Sequence, residues 1–296
     1  MKFAAIDVGS NAVRLLLARV DNAGPEPIYE KISNIRMPIR LGEDAFVHGR
    51  ISEEKADRFV KCMIGFKYLL QAYEPIDFMA FATSAMREAE NSQMIVDRVK
   101  EESGIELNVI SGRKEAETIY SNRIEKILDN HEGPYLHIDV GGGSTEVILF
   151  DKSKVMAYRS FNIGAIRILE GLTSKKDWAE MQKWVAKVTA NNQPVSAIGS
   201  GGNITKIFRL SNAKVGKALK LKEMNKVHEC LNSYTLEQRI TKLGLRPDRA
   251  DIIIPASNIY MSVMEWGNVD TIHVPQLGLG DGMIHVLYEK HKKNYV

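Results

Sequence analysis

Two stretches of this chain end an apolar run on a carboxylate and follow it with glycine. Residues 6–17 read IDVGSNAVRLLL, and residues 138–149 read IDVGGGSTEVIL. Ile6, Asp7, Val8, Gly9 and Leu17 recur as Ile138, Asp139, Val140, Gly141 and Leu149, in sequence that is not of low complexity. Glycine at such a turn removes the side chain, so successive backbone N–H groups can point at the oxygens of one anion. Ser10 and Asn11 in the first copy, and Gly142, Gly143, Ser144 and Thr145 in the second, add backbone or side-chain donors. One such turn read alone is equally an ordinary tight hairpin turn. Two equivalent copies point instead to facing loops that grip opposite sides of one phosphate chain.

Asp7 and Asp139 stand in apolar strand contexts, where an uncompensated charge is costly. A metal ion is one way to offset it. Mg²⁺ takes one or two carboxylates and completes its shell with water and phosphate oxygens, a set that Asp7, Asp139 and Glu146 can supply. The alternative is a carboxylate that only accepts loop N–H bonds. Asp139 and Glu146 can meet across their hairpin. A third cluster, Gly199-Ser200-Gly201-Gly202-Asn203, follows the strand-like VSAIG and opens the helix-like ITKIFRL. Gly201 and Gly202 there make an anion site of the helix N-terminal kind.

These groups must be held by regular elements. Each copy of the repeat reads as strand, glycine loop, strand, turn, strand, which separates it from a dinucleotide fingerprint, whose glycines open a helix. No GxxxxGK[ST] motif occurs. Ser52 caps an amphipathic helix with Val60, Met63, Ile64 and Leu70 on one face, and FMAFAT is a buried strand. A helix near 91–103 stops at Gly104, ELNVIS is a strand, and Lys114 to about Asp129 is a helix joining the two halves through Ala116, Ile119, Tyr120, Ile124, Ile127 and Leu128. Further helices fall near 175–190, 203–213, 222–232, 235–242, 256–267 and 281–292, with strands VSAIG and TIHVP. The implied architecture is two similar α/β domains, 1–123 and 124–296, with a cleft between them and the last helix able to pack back on the first.

Composition narrows the function. At about 150 residues per domain, 296 residues make two, and 44% apolar content supplies cores for both. A net charge of +3 gives no mandate for nucleic acid or an anionic membrane. Cys62 and Cys230 form no CxxC pair, and the seven histidines show no paired metal spacing, so a disulfide scaffold, a zinc ribbon and a zinc hydrolase lack support. No run of 18 apolar residues and no signal-peptide core occurs, so the expectation is a soluble cytoplasmic protein.

Six blocks in order, IDVGSN, ATSAMREAEN, ISGRKEA, IDVGGGSTE, NIGAIRI and SGGN, span nearly the whole chain. Together they resemble the exopolyphosphatase and guanosine pentaphosphate phosphohydrolase family of the actin, sugar kinase and Hsp70 ATPase superfamily. The resemblance implies two actin-like, ribonuclease H-like domains. It also implies Glu115 as general base for water attack on a terminal phosphoryl group, Gly141 to Thr145 as a phosphate loop, Asp139 and Glu146 as metal-linked carboxylates, and Arg87 in the phosphate cleft. Without it, Glu115 is an acidic residue in a first helical turn and Arg87 a solvated arginine at a helix start. Arg14 is a weaker candidate, and Lys206 and Arg209 read equally as solvent-facing.

Ala12 stands where many relatives have serine, and Gly278-Leu279-Gly280-Asp281-Gly282 replaces the usual Gly-Leu-Arg-Glu-Gly, so one arginine is missing. The chain also ends before the helical C-terminal domain of longer relatives, which favours shorter substrates. The expected activity is Mg²⁺-dependent release of terminal phosphate from inorganic polyphosphate, with guanosine pentaphosphate as the rival substrate. Other classes are an ATP-binding kinase-like protein or a sensor of phosphorylated ligands. A homodimer is a family-level expectation, with no nucleic-acid or membrane partner.

Overall fold

The computed structural model describes residues 1–122, 133–151, 154–214 and 216–292. Its contacts divide the chain into two compact units, Met1–Asn122 with Gly278–Val296, and Arg123–Leu277.

In the first unit, β1 (Lys2–Val8), β2 (Val13–Asp21) and β3 (Ile28–Met37) form an antiparallel meander. β4 (Asp77–Ala82) pairs parallel to β1, and β5 (Asn108–Val109) parallel to β4, giving the order β3-β2-β1-β4-β5. Alternate residues of β1 enter different cores, as the period of two requires. Ala4, Ile6 and Val8 pack with Phe59, Val60 and Met63 on one face, whereas Phe3 and Ala5 pack with Ile119, Met283 and Leu287 on the other. The first face is covered by α1 (Leu41–His48), α2 (Glu53–Tyr73), α3 (Ser84–Glu88) and α4 (Ser92–Ser103). The second is covered by α5 (Gly112–Tyr120) and the C-terminal helix (Leu279–His291). That helix closes on α5 at Gly282, where an added Cβ would lie 1.9 Å from the Thr118 carbonyl oxygen.

The second unit repeats the plan. β6 (Tyr135–Val140), β7 (Thr145–Asp151) and β8 (Lys154–Phe161) form the meander, and β9 (Ser196–Ser200) runs parallel to β6. β10 (Leu219–Lys220) and β11 (Thr271–His273) complete the order β10-β11-β9-β6-β7-β8. Even the irregularities correspond, since the second strand of each meander shifts register at equivalent residues, Leu17/Ala18 and Leu149/Phe150. Around this sheet run α6 (Ala165–Leu169), α7 (Lys175–Ala190), α8 (Gly202–Leu210), α9 (Leu221–Ser233), α10 (Leu236–Thr241), α11 (Pro247–Ala250) and α12 (Ile253–Trp266), so the C-terminal helix is α13. Each unit thus carries the mixed sheet of an actin-like, ribonuclease H-like domain.

The long elements fall where periodicity and caps place them, and Ser52 caps α2 by accepting the Lys55 N–H. Other expectations need correction. The strand ELNVIS shortens to Asn108–Val109, the helix expected from Lys114 begins at Gly112 and ends at Tyr120, and the helix expected to reach 213 stops at Leu210. The further part of the joining helix, with Ile124, Ile127 and Leu128, lies outside the described residues. Helices α1, α3, α6 and α11 and strand β10 carry no signal strong enough to be read locally. Gly278–Val296 belongs with the first unit because Leu279, Met283, Ile284 and Leu287 seal that unit's second face.

His137 lies in β6, 3% exposed, and neither ring nitrogen has a hydrogen-bond partner. Burial lowers its pKa to about 4, so it is neutral in the folded protein while the unfolded chain binds a proton near the ordinary value of 6.5. Stability is therefore complete above that value and falls as pH drops towards the folded one. Urea unfolding is expected to show a loss of about 2 kcal/mol between pH 7.5 and pH 5, and His137→Leu should flatten this dependence. Gly282→Ala should lower stability by about 2–3 kcal/mol, because the methyl group meets backbone that cannot rotate away. Thermal unfolding of the variant reads this directly.

Candidate active site

Both glycine turns close in the same way. Gly9 N–H donates to Ala12 O at 3.1 Å, and Gly141 N–H to Ser144 O at 2.9 Å. Space, rather than backbone angle, selects glycine here: a Cβ on Gly141 would sit 3.1 Å from Ser144 O, and one on Gly9 3.3 Å from Ala12 O.

What orients each turn is the segment after the third strand. In the first unit, Gly42 N–H donates to Ser10 O at 2.8 Å and Arg40 N–H to Asn11 O at 3.1 Å, at the start of α1. In the second, Ala165 N–H donates to Gly141 O at 3.0 Å and Ile166 N–H to Gly142 O at 2.8 Å, at the start of α6. Arg167 Nε donates to Gly143 O at 2.7 Å. A trans peptide directs its N–H opposite to its C=O. With these carbonyls held from behind, the N–H groups of Gly142, Gly143 and Ser144 point away from α6, and those of Asn11 and Ala12 away from α1. Three successive donors make an anion cradle. α6 reaches the turn only because residue 164 is glycine, since a Cβ there would lie 2.3 Å from Gly142 O.

The hydroxyls divide differently. Ser10 Oγ is buried and shares a 2.8 Å hydrogen bond with Ser84 Oγ, and Thr145, fully buried, donates to Ile163 O at 2.6 Å. Both side chains brace the turns, which leaves the backbone N–H groups as the donors available there. Ser144 is buried as well.

The two hairpins differ in charge at equivalent rungs. Asp7 faces Arg14 across the first, with Arg14 Nη1 donating to Asp7 Oδ2 at 2.8 Å. Arg14 thereby supplies the compensation that the Asp7 carboxylate requires. Asp139 faces Glu146 across the second, so two carboxylates stand side by side where the first unit has an ion pair. Glu146 is 2% exposed and accepts from Ser160 Oγ at 2.8 Å. Like charges directly opposite are destabilising, and a divalent cation relieves the repulsion. Two oxygen-donor carboxylates suit Mg²⁺, which draws its other ligands from water and phosphate. Among the described residues no three His, Cys, Asp or Glu side chains converge as a metal cage.

The third turn meets the second at Asp139. Gly201, at φ +95°, precedes α8, and a Cβ on it would lie 3.0 Å from Asp139 Oδ1. Tyr260, fully buried, reaches the same place from α12. Burial first, then the charge of Asp139, pushes its phenol pKa well above the ordinary value, so it remains a donor. Lys206 and Arg209 on α8 are anchored: Lys206 donates to Leu243 O at 3.3 Å and Arg209 to Gln276 Oε1 at 3.0 Å. Burial, with the nearby charges of Arg249 and Arg209, lowers the Lys206 pKa.

Back in the first unit, Ser111 caps α5 and sets Glu115 in its first turn. Arg87 Nη1 donates to Ile110 O at 2.7 Å and lies 3.8 Å from Glu115 Oε2. The Glu115 side chain is 12% exposed and that of Arg87 28%, so both retain a path to solvent. A carboxylate able to take a proton from water and a guanidinium able to hold phosphate oxygens thus stand together. Gly280, at the departure from the usual arginine, starts 3.5 Å from Leu16 at its Cβ position, while its neighbour Asp281 pairs with Lys31 at 2.8 Å.

Sequence reasoning missed Ser84, Ser160, Gly164, Arg167 and Tyr260. Gly164 and Arg167 lie inside the NIGAIRI block, which marks them without showing what they touch. For Tyr260, on an evenly apolar helix, nothing local distinguishes the hydroxyl from a core phenyl ring.

Comparison with known proteins follows the same lines. The chain is 27% identical over 92% of its length to the bifunctional 3-dehydroquinate synthase/phosphatase of Fusobacterium nucleatum, of which it spans 44%. It is 25% identical to exopolyphosphatase 1 of Mycobacterium tuberculosis, covering 96% of this chain and 87% of that one. It is also 25% identical to the guanosine-5'-triphosphate,3'-diphosphate pyrophosphatase of Pseudoalteromonas translucida, covering 97% of this chain and 58% of that one. The crystal structure of an exopolyphosphatase from Cytophaga hutchinsonii superposes with a TM-score of 0.84 at 25% identity, over 98% of each chain. The model of the Ppx/GppA phosphatase family matches residues 16–291, a span that takes in the second glycine turn, the third and the Arg87–Glu115 pair, and the chain belongs to that family.

Proposed function

We propose that this phosphatase releases the terminal phosphate of inorganic polyphosphate by direct attack of water, with Glu115 as general base. The observation that carries the reading is the Arg87–Glu115 pair at the start of α5. Water attacks the terminal phosphorus, Glu115 accepts the proton, and the bridging P–O bond breaks to leave orthophosphate and a chain one unit shorter. In the first unit Arg87 neutralises phosphoryl oxygens beside Glu115, and in the second the N–H groups of Gly142, Gly143 and Ser144 are donors suited to phosphate oxygens. In the first turn, Gly9 keeps the hairpin tight and the N–H of Asn11 takes the same part. The turn of Gly201 and Gly202 adds donors at the start of α8.

Asp139 and Glu146 would hold Mg²⁺, which supplies charge neutralisation on the phosphates when bound. Asp7 stands outside that set in this reading, because Arg14 answers its charge. A kinase reading would need an acceptor-site carboxylate, and none is identified in the sequence. Guanosine pentaphosphate remains the second substrate, because it presents the same terminal anhydride and a relative named for that chemistry aligns over 97% of this chain.

Phosphate release from polyphosphates of defined length, guanosine pentaphosphate and ATP, each with and without Mg²⁺, tests the proposal. Turnover should depend on Mg²⁺ and be fastest with polyphosphate. Glu115→Gln should lower it by about 10²–10⁴ with KM changed little. Undiminished turnover in that variant would remove Glu115 from the mechanism, and tight binding without release by the wild type would make the protein a sensor.

A further inference from the structure

In the first unit, pairing between the strand that carries the aspartate and its parallel neighbour continues past the aspartate. Val8 pairs with Ala82, and Thr83 closes the end with its N–H on Val8 O at 3.1 Å and its hydroxyl on the same oxygen at 3.3 Å. In the second unit, pairing stops one rung earlier, at Asp139 and Ser200, because the chain turns at Gly201 with φ +95°. The next rung is supplied by a side chain from a remote helix. Tyr260 Oη donates to Ser200 O at 2.6 Å and accepts the Val140 N–H at 3.3 Å.

Those two bonds fall on selected peptides. Val140 N–H belongs to the peptide that immediately follows Asp139, and Ser200 C=O to the peptide that immediately precedes Gly201. One hydroxyl therefore fixes both backbone planes beside the Asp139 carboxylate, and through them the roots of the Gly141–Ser144 turn and the Gly201–Gly202 turn. The position of Gly201 leaves 3.0 Å between its Cβ direction and Asp139 Oδ1, so a small rotation of either plane moves backbone against the carboxylate. The ring itself is 0% exposed and packed in the core, which anchors the hydroxyl rigidly.

We propose that Tyr260 is a positioning residue for the phosphatase reaction: its hydroxyl is a strut that locks the two glycine turns of the second unit in register around Asp139. The inference rests on the proposed phosphoanhydride hydrolysis and concerns how that site is held. A displacement of about 1 Å at such a site costs up to about 10²-fold in rate. Substituting Tyr260 by Phe keeps the ring and deletes both hydrogen bonds. Ser257→Ala is the control, since it deletes a buried hydroxyl on the same helix that bonds His228 at 2.6 Å, away from both turns.

With the full-length chain and polyphosphate, Tyr260→Phe should lower kcat about tenfold or more at a temperature well below its Tm, with KM changed less. Amide exchange should quicken at Val140 and through Gly141–Ser144. Ser257→Ala should lose thermal stability without losing kcat. A Tyr260→Phe protein with wild-type kcat, or with amide exchange in the turn unchanged, would overturn the proposal, as would an equal kcat loss in Ser257→Ala. A wild-type protein that releases no phosphate from any anhydride would instead sink the proposed function, and the exchange measurement would still decide whether the strut exists.

Discussion

The site depends on the planarity of a handful of peptide bonds. A glycine turn has no inherent preference for showing an anion its N–H groups rather than its carbonyls. Here the choice is made from behind, by helix starts that donate to the carbonyls of Ser10, Gly141 and Gly142, and by the Arg167 side chain on Gly143. Once those oxygens are engaged, the trans peptide leaves the N–H groups one direction to face. The first N–H groups of α1 and α6, which a helix cannot satisfy internally, find their acceptors in the same contacts. Anion cradle and helix cap are one set of bonds seen from two sides.

The two copies of the hairpin share a backbone plan and differ in charge. The hairpins match in strand order, turn closure and even the site of their register shift, yet the rung beside the aspartate carries Arg14 in one and Glu146 in the other. The Asp7–Arg14 rung is internally neutral. The Asp139–Glu146 rung places two carboxylates opposite one another in a largely buried place, where Glu146 accepts a hydrogen bond from Ser160. The same backbone therefore carries an ion pair in one unit and two facing carboxylates in the other. The Arg87–Glu115 pair adds a carboxylate held beside a guanidinium, with Ser111 capping the helix that presents it.

Much of this was legible in the linear chain because its signals are local. The hairpin repeat, the apolar run before Asp7, the Ser52 cap and the Gly104 stop each lie within a few residues of what they determine. The register Asp139 to Glu146 also follows from a tight turn of fixed length between them. The short helices were not legible for the converse reason. α1 follows Arg40 in a left-handed conformation with no side-chain cap, and α6 follows Gly164, because their caps are carbonyls contributed by distant turns.

Sequence by itself determined the family and the candidate groups: the acidic residues, the glycines and the order of the blocks, all properties of residue type and short spacing. Tertiary structure alone decided their roles. It joined Arg14 to Asp7, turned the hydroxyls of Ser10 and Thr145 into braces, returned α13 to the first unit, and brought Tyr260 to Val140 across 120 residues of chain. Hydrogen-bond direction and close packing are set by whichever backbone arrives opposite, and in a chain with this many non-local contacts that partner is not a neighbour in sequence.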